Sequence, residues 1–142
     1  MWSVLVRVLR DLQLITMKKF DPAFSKKVDA ARSLGVRSGD SHKFTFVWVI
    51  VIQGRVLVRS WNDKPSGWFR AFIKQPLGAI RLGSGSKREV PARGVRVRSA
   101  KLINAMSEAY AEKYPHKGSQ QYVTGFRTPK RKPATMEFVP LN

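Results

Sequence analysis

Cysteine is absent from this 142-residue chain, and histidine is scarce, with two residues. The lack of cysteine excludes disulfides, thiolate catalysis and zinc sites built on cysteine. It also fits a reducing compartment, so we expect a cytoplasmic protein. No apolar run reaches the roughly 18 residues that a transmembrane helix needs, so we expect no membrane span.

Acidic residues are also few, nine in all, and they limit the chemistry that side chains alone can perform. Glu108 and Glu112 are spaced one helical turn apart, which is typical of a solvated helix face. His42 and His116 lie in polar segments without a Gly-x-Ser-x-Gly motif, so we expect both on surface loops. Neither a metal site nor hydrolysis by paired carboxylates is therefore predicted.

Positive charge is what the chain has in excess. Twenty-seven Lys and Arg residues give a net charge of +18 and a pI of about 11.2. Such a balance indicates nucleic-acid binding, a basic groove for a phosphorylated cofactor, or simply a basic surface. The basic residues are spread along the chain, with local enrichment in the strand Arg93–Arg98 and in the segment 117–132.

The length and the apolar content of 43% predict one domain with a real core, over residues 21–142. Residues 1–20 are assigned to an N-terminal extension. Its first sixteen residues place Trp2, Leu5 and Leu9 on one face of a helix, with arginines off that face. Met17 would also serve as a translation start.

Hydrophobic periodicity and turn residues predict the order of elements. Asp21-Pro22, Ser66 and Ser99 are helix-start signals, and Gly35 is read as a helix stop. Gln53-Gly54 predicts a tight hairpin turn. The predicted helices are 21–34, 67–75 and 100–114. The predicted strands are 44–52, 55–60, 78–82 and 134–139, and residues 88–98 are predicted as a strand pair or one bent strand. The predicted loops are a polar one at 36–43 and a basic one at 115–133. Strand 44–52 is expected to be buried on both faces. This order predicts an α+β fold with a mainly antiparallel sheet, closed or half closed as a barrel.

The hairpin end and the following loop carry the candidate site. Ser60, Lys64, Ser66 and Trp68 combine hydroxyls and a cation with a helix start, a combination that favours a phosphate or another anion. Trp61, beside the cations Arg59, Lys64 and Arg70, could stack a planar ring or a base. The alternative is that Trp68 and Phe69 only pin the helix to the sheet, and that Arg59 and Arg70 form salt bridges with Asp63 or Glu89.

The same stretch carries a resemblance. Residues 47–83, VWVIVIQGRVLVRSWNDKPSGWFRAFIKQPLGAIRLG, are similar to a bacterial family of unknown function, number 2255, that is grouped with the flavin-binding split barrels. The likeness continues through REVPARGVRV, INAMSEAYAEKY and TPKRKPATMEFVP. It covers about Val36 to Pro140.

The resemblance implies a split β-barrel with flanking helices, a homodimer, and flavin mononucleotide or a deazaflavin as cofactor of a reductase or oxidase. The residues that it places at the cofactor are Arg59, Ser60, Trp61, Lys64, Ser66 and Trp68. No residue has the features of a dedicated catalytic acid or base, which suits hydride chemistry performed by the cofactor and equally suits no catalysis. The alternatives are a binding module for nucleic acid or another polyanion, and a cofactor-free dimer.

Overall fold

The computed structural model describes residues 18–83, 85 and 87–141. The helix predicted from residues 1–16 lies outside this range. Within the described residues, seven strands form one antiparallel sheet, flanked by four α-helices and a short 3₁₀-helix, Lys117–Ser119. The helices are α1 Pro22–Ala30, α2 Trp68–Lys74, α3 Ala100–Lys113 and α4 Gln120–Gly125. The strands are β1 Ser33–Ser38, β2 Thr45–Trp48, β3 Ile50–Ile52, β4 Arg55–Arg59, β5 Leu77–Leu82, β6 Val90–Arg96 and β7 Thr135–Pro140.

The sheet is a nearly closed barrel. Its strand order is β2-β1-β5-β6-β7-β4-β3, and each neighbouring pair is antiparallel. The two outermost strands, β2 and β3, are consecutive in the chain and are separated only by Val49. The two edge strands of the sheet therefore meet at one bend in the chain, as closure of a barrel requires. The α+β, mainly antiparallel barrel predicted from the sequence is confirmed.

The barrel interior holds an inner core of aliphatic and phenylalanine side chains. Because side chains alternate along a strand, Leu34 and Val36 of β1 point inward together with Val56 and Val58 of β4, all fully buried. Helix α2 contributes Phe69 and Phe72 to this cluster. The other buried members are Phe20, Val28, Val49, Ile80, Ala92, Ala134, Met136 and Phe138.

The outside of the barrel carries a second, outer cluster beneath α3 and α4. Its buried residues are Ile50, Leu57, Val97, Met106, Tyr110, Tyr114, Val123 and Phe126, with Trp48 and Trp61 packed against them. Tyr110 of α3 and Tyr114, the residue that ends this helix, bond the strand backbone where the pairing of strands is interrupted. The Tyr114 hydroxyl accepts from Val49 N–H at 3.1 Å, and the Tyr110 hydroxyl accepts from Arg59 N–H at 2.9 Å. These two hydrogen bonds attach the C-terminal part of helix α3 to the wall of the barrel.

Several local predictions are confirmed. Gln53 and Gly54 both have positive φ, 51° and 77°, as a two-residue turn between twisted antiparallel strands requires. Asp21 caps α1 by accepting from Ala23 N–H at 2.9 Å. Ser99 caps α3 by accepting from Leu102 N–H at 3.3 Å.

Gly35 was misread as a helix stop, and the helix predicted to reach Leu34 is wrong. Helix α1 ends at Ala30, and residues 33–38, partly assigned to a polar loop, form β1. Gly35 lies in mid-strand opposite Phe46, where an added Cβ would come within 2.8 Å of that ring. The glycine is therefore explained by the close approach of an aromatic side chain, which a single sequence does not reveal.

Three further predictions are corrected. The single strand 44–52, expected to be buried on both faces, is two strands, and Phe46 in the first is 39% exposed. Ser66 does not cap a helix: α2 begins at Trp68, with Gly67 as N-cap and no side-chain cap bond. The basic loop 115–133 contains the 3₁₀-helix and α4, because Val123 and Phe126, at helical spacing, enter the outer cluster.

Candidate functional site

Trp61 is the centre of the candidate site, because it lines two cavities on the outside of the barrel. Its indole ring is covered by the guanidinium of Arg131, whose Cζ lies 3.6 Å from the ring centroid. Arg131 Nε also donates to the Trp61 carbonyl at 2.8 Å. Stacking and the hydrogen bond together hold the tryptophan and the loop 127–133 in one arrangement.

One cavity, the aromatic cavity, has a volume of about 440 Å³. Its lining residues are Phe46, Val47, Trp48, Arg59, Trp61, Tyr122 and Phe126. Trp48 is fixed by stacking on Tyr114, with ring centroids 4.1 Å apart and planes 4° from parallel. Small-molecule sites are typically apolar clefts of about 300–1,000 Å³ with a few placed polar groups, and this cavity matches that description.

Arg59 supplies the cation in the wall of the aromatic cavity, and only 1% of it is exposed. Its Nε donates to Thr135 Oγ1 at 2.9 Å, and its Nη1 donates to Ser107 Oγ at 2.9 Å and to the Phe126 carbonyl at 3.0 Å. Its Nη2 donates to the Ile103 carbonyl at 2.8 Å. These four bonds use four of the five N–H groups of the guanidinium, and every acceptor is neutral.

The charge of Arg59 therefore has no carboxylate partner among the described residues. Burial lowers the pKa of Arg59, and the nearby charge of Arg127 acts in the same direction. Arginine nevertheless stays protonated in proteins, so the barrel wall carries a buried positive charge. The salt bridge with Asp63 or Glu89 that was considered for this residue is not formed. A buried cation held only by neutral groups favours an anion nearby.

The second cavity, the cationic cavity, has a volume of about 240 Å³. Its lining residues are Trp61, Asn62, Asp63, Lys64, Lys130 and Arg131. Arg70 donates to both carboxylate oxygens of Asp63, at 2.9 and 2.6 Å, as the alternative for Arg70 anticipated. The one acid of this cavity is therefore already neutralised, and the three cations leave it positive.

The six residues proposed from the sequence are only partly brought together. Arg59, Trp61 and Lys64 line the two cavities. Ser60 is buried, and its N–H donates to the Ala134 carbonyl at 2.8 Å. Ser66 is exposed and lines neither cavity.

Trp68 belongs to the other side of the barrel wall. Its ring packs against Phe69, Phe72 and Phe138, with centroids 5.8, 6.5 and 6.2 Å away, and so adjoins the inner core. This packing agrees with the alternative interpretation, in which Trp68 holds α2 against the sheet. Trp61, which follows the hairpin, and Trp68, which begins α2, thus pack against different clusters.

Sequence reasoning missed the residues contributed by 115–133. Tyr122 and Phe126 contact Trp61 edge-on, with centroids 5.1 and 5.5 Å away, and Lys130 and Arg131 complete the cationic cavity. The spacing of Tyr122 and Phe126, four residues apart, was an available sign of a helix. The contact of this segment with Trp61 had no sequence signal.

Other site chemistries find no support in the described part of the chain. His42 and His116 are exposed, as expected, and line neither cavity. Among residues 18–83, 85 and 87–141, no three His, Asp or Glu side chains are grouped as metal ligands. No helix within those residues has the length and apolarity to cross a bilayer.

The structure thus defines an antiparallel α+β barrel with an aromatic and cationic site on its outer wall. The chain belongs to a family described as uncharacterized proteins conserved in bacteria (DUF2255), whose model matches residues 25–138. Comparison with curated proteins gives no match.

Among solved structures, the chain is similar to a conserved hypothetical protein, Rv2991, from Mycobacterium tuberculosis. The TM-score is 0.55 at 13% identity, and the match covers 89% of this chain and 83% of the other. At this identity the likeness concerns the fold alone.

Proposed function

We propose that this protein binds a planar, anionic cofactor of the flavin mononucleotide or deazaflavin class and acts as an oxidoreductase through it. The observation that carries the proposal is the aromatic cavity of about 440 Å³ with the uncompensated charge of Arg59 in its wall. The cationic cavity, which shares Trp61 with the aromatic cavity, adds room for a phosphate.

The residues present fit such a group. Trp48, Tyr122 and Phe126 offer aromatic surface for a ring system, and stacking on aromatic side chains is favourable for any planar π-system. Lys64 and Lys130 are exposed and unpaired with acids in the described structure, so they are available to a phosphate. Arg131 is already ordered by Trp61.

When bound, such a cofactor supplies hydride transfer at its ring. The chain would bind the ring between aromatic walls, keep water from one side of it, and place the positive charge of Arg59 near it. Neutral hydroxyl and carbonyl partners hold that guanidinium in position without cancelling its charge. The lining of the two cavities contains no histidine or glutamate, which suits chemistry centred on the cofactor.

The test is the visible and near-ultraviolet absorbance of the purified protein, before and after incubation with flavin mononucleotide and desalting. We expect a retained flavin band. Lys64→Ala should weaken retention by removing a phosphate contact, whereas Lys74→Ala, which removes an exposed lysine outside both cavities, should not. Tyr122→Ala should weaken it about tenfold, because stacking of a planar ring on one aromatic side chain is worth roughly 1–3 kcal/mol.

Failure to retain flavin mononucleotide, followed by failure to bind a deazaflavin in titration, would overturn the proposal. Unchanged retention in both Lys64→Ala and Tyr122→Ala would show that the cofactor binds elsewhere. The homodimer that the resemblance implies stays a prediction, checked by light scattering on the same preparation. A dimer that binds neither cofactor would instead favour the cofactor-free alternative. The lack of cysteine supports placing this function in the cytoplasm.

A further inference from the structure

A third concavity also borders the loop 127–133, through other residues than those that line the cationic cavity. This basic groove has a volume of about 330 Å³. It is lined by Arg96, Val97, Arg98, Ile103, Pro129, Lys132 and Pro133. Lys130 and Arg131 line the cationic cavity, whereas Pro129, Lys132 and Pro133 line the basic groove, so neighbouring loop residues face two different cavities.

The groove is positive because its cations are not neutralised. Arg98 is exposed, Lys132 Nζ donates to the amide oxygen of Asn104 at 3.2 Å, and Arg96 lies over the ring of Phe69. Within the described residues none of the three forms a salt bridge. Of the three acids that follow in the chain, Glu108 pairs with Arg127 and Glu137 pairs with Arg55. The third, Glu112, does not line the groove.

The backbone of the loop that forms one wall of the groove is also held by hydrogen bonds. The N–H groups of Arg131 and Lys132 both donate to the Thr128 carbonyl at 3.1 Å, and Ala134 N–H donates to the Arg131 carbonyl at 2.9 Å. Pro129 and Pro133 restrict the backbone of the same turn. The cations of the loop are therefore presented by an ordered backbone, and binding an anion there would order little additional chain.

We propose that the basic groove binds single-stranded nucleic acid, with one nucleotide in the groove and the neighbouring phosphate against Lys130 across the loop. Lys130 and Lys132 are two positions apart, at most about 7 Å of chain, so they can meet successive phosphates of one strand. A single small anion would reach only one of the two lysines.

A single strand fits this surface better than a duplex or a lipid surface does. The groove is concave and walled by Ile103, Pro129 and Pro133, so it offers apolar contact for an unstacked base as well as cations for its phosphate. A duplex keeps its bases stacked inside and would use the cations alone. A flat anionic bilayer cannot enter a concavity of this size, and it too would meet only the charges at the rim.

The experiment measures the fluorescence anisotropy of a labelled short oligothymidylate with the full-length chain in the absence of any flavin. A duplex of equal length is the comparison. The test variant is Arg98→Ala/Lys132→Ala. The control is Lys26→Ala/Lys27→Ala, which removes the same two charges from the exposed side of α1. Since each phosphate contact on a single strand contributes about 0.7 to the slope of log K against log salt, the test variant should lose about 1.4 from that slope.

Single-strand binding that exceeds duplex binding, and that loses slope in the test variant but not in the control, supports the proposal. Equal losses in the two double variants would overturn it, since only net charge would then matter. Duplex binding as tight as single-strand binding would overturn it, and so would binding to anionic phospholipid vesicles without binding to the oligonucleotide. Arg98→Ala alone, at an exposed position, repeats the test with the Lys132–Asn104 contact intact.

The outcome is separable from that of the proposed cofactor function. Lys130 is the one residue that both proposals use, and it is unchanged in every variant. The substituted residues Arg98 and Lys132 line neither the aromatic nor the cationic cavity. Failure to bind the oligonucleotide would leave the flavin measurement unaffected. Failure to bind flavin would likewise leave the comparison of the two double variants intact.

Discussion

The inner core and the outer cluster of this barrel are packed against the two faces of one sheet, yet they are built from different side chains. The buried residues of the inner core are alanine, valine, leucine, isoleucine, methionine and phenylalanine, without a polar group. The outer cluster contains Tyr110 and Tyr114 and adjoins the buried guanidinium of Arg59. The candidate cofactor cavities open on the outer side. The inner face of the sheet therefore provides stability, whereas the outer face provides polar cavities that are large enough for a ligand.

The largest expected effect is in the inner core. Phe72→Ala should cost about 3–5 kcal/mol of unfolding free energy, because the hole is bordered by Gly94, which has no side chain to refill it. Phe126→Ala in the outer cluster should cost at least about 1 kcal/mol less, since this residue already borders a cavity and the exposed Tyr122 can move. Urea denaturation of both variants checks the difference. Equal losses would remove this distinction between the two sides.

The next effect concerns Arg59. Arg59→Met should lower the unfolding free energy by about 1–3 kcal/mol, because buried acceptors such as the Ile103 and Phe126 carbonyls lose their donors. The loss is limited because the desolvation cost of a buried charge disappears with it. Arg127→Met, which removes an exposed ion pair with Glu108, should leave the stability nearly unchanged. An Arg59→Met protein as stable as the parent would mean that the charge is retained for binding alone.

Tyr114 gives the outer cluster a pH dependence that the inner core lacks. Burial raises the pKa of Tyr114 from 10.0 to about 12, and burial raises that of Tyr110 as well. The folded protein therefore keeps protons that the unfolded chain loses, so this stability is complete below pH 10.0 and is lost as the pH rises toward 12.

Tyr114→Phe should cost about 1–3 kcal/mol near neutral pH, because Val49 N–H loses its acceptor, and it should flatten the alkaline loss. Urea midpoints measured across the alkaline range provide the test. The part due to Tyr110 should remain in the variant. A variant whose stability falls as steeply as that of the parent would contradict the assignment to Tyr114.

The smallest effect has an informative sign. Replacing a glycine within a helix by alanine usually raises the unfolding free energy, by up to about 1 kcal/mol. Gly125→Ala in α4 should instead destabilise by about 1 kcal/mol, because an added Cβ would overlap the indole of Trp61. Thermal melting and tryptophan fluorescence follow the change. Gly118→Ala, where an added Cβ has nothing within 4 Å, is the matched control and should be near neutral.

The elements that could be predicted are those whose signals are local. The Gln53-Gly54 turn, the Ser99 cap and the apolar β-branched strands depend on residues within a few positions of each other. Gly35 shows the limit. Leu34, Gly35 and Val36 alternate as residues of a strand do. They follow directly after a helical pattern, however, so Gly35 was interpreted as the end of that helix. The ring of Phe46 that lies over Gly35 comes from a different strand.

Only the site residues at the end of the hairpin and in the loop after it could be predicted from the sequence. Arg59, Trp61 and Lys64 stand at the end of a recognisable strand, and that position suggested them. Their partners, Tyr122, Phe126 and Arg131, lie 58 to 72 residues later, in a segment whose composition indicated a loop. Trp68, which looked equivalent to Trp61, turned to the inner core because it begins a helix whose apolar face packs inward.

By itself the sequence determined the α+β class, the hairpin, the caps of α1 and α3, and the excess of positive charge, because propensity, pattern and charge are properties of residues near one another or of their sum. Only the tertiary structure decided how the barrel closes at Val49, which tryptophan faces a cavity, and which cations remain without acids. Those outcomes depend on residues far apart in the chain being packed together. Their contacts are set by the whole sheet and not by any single stretch.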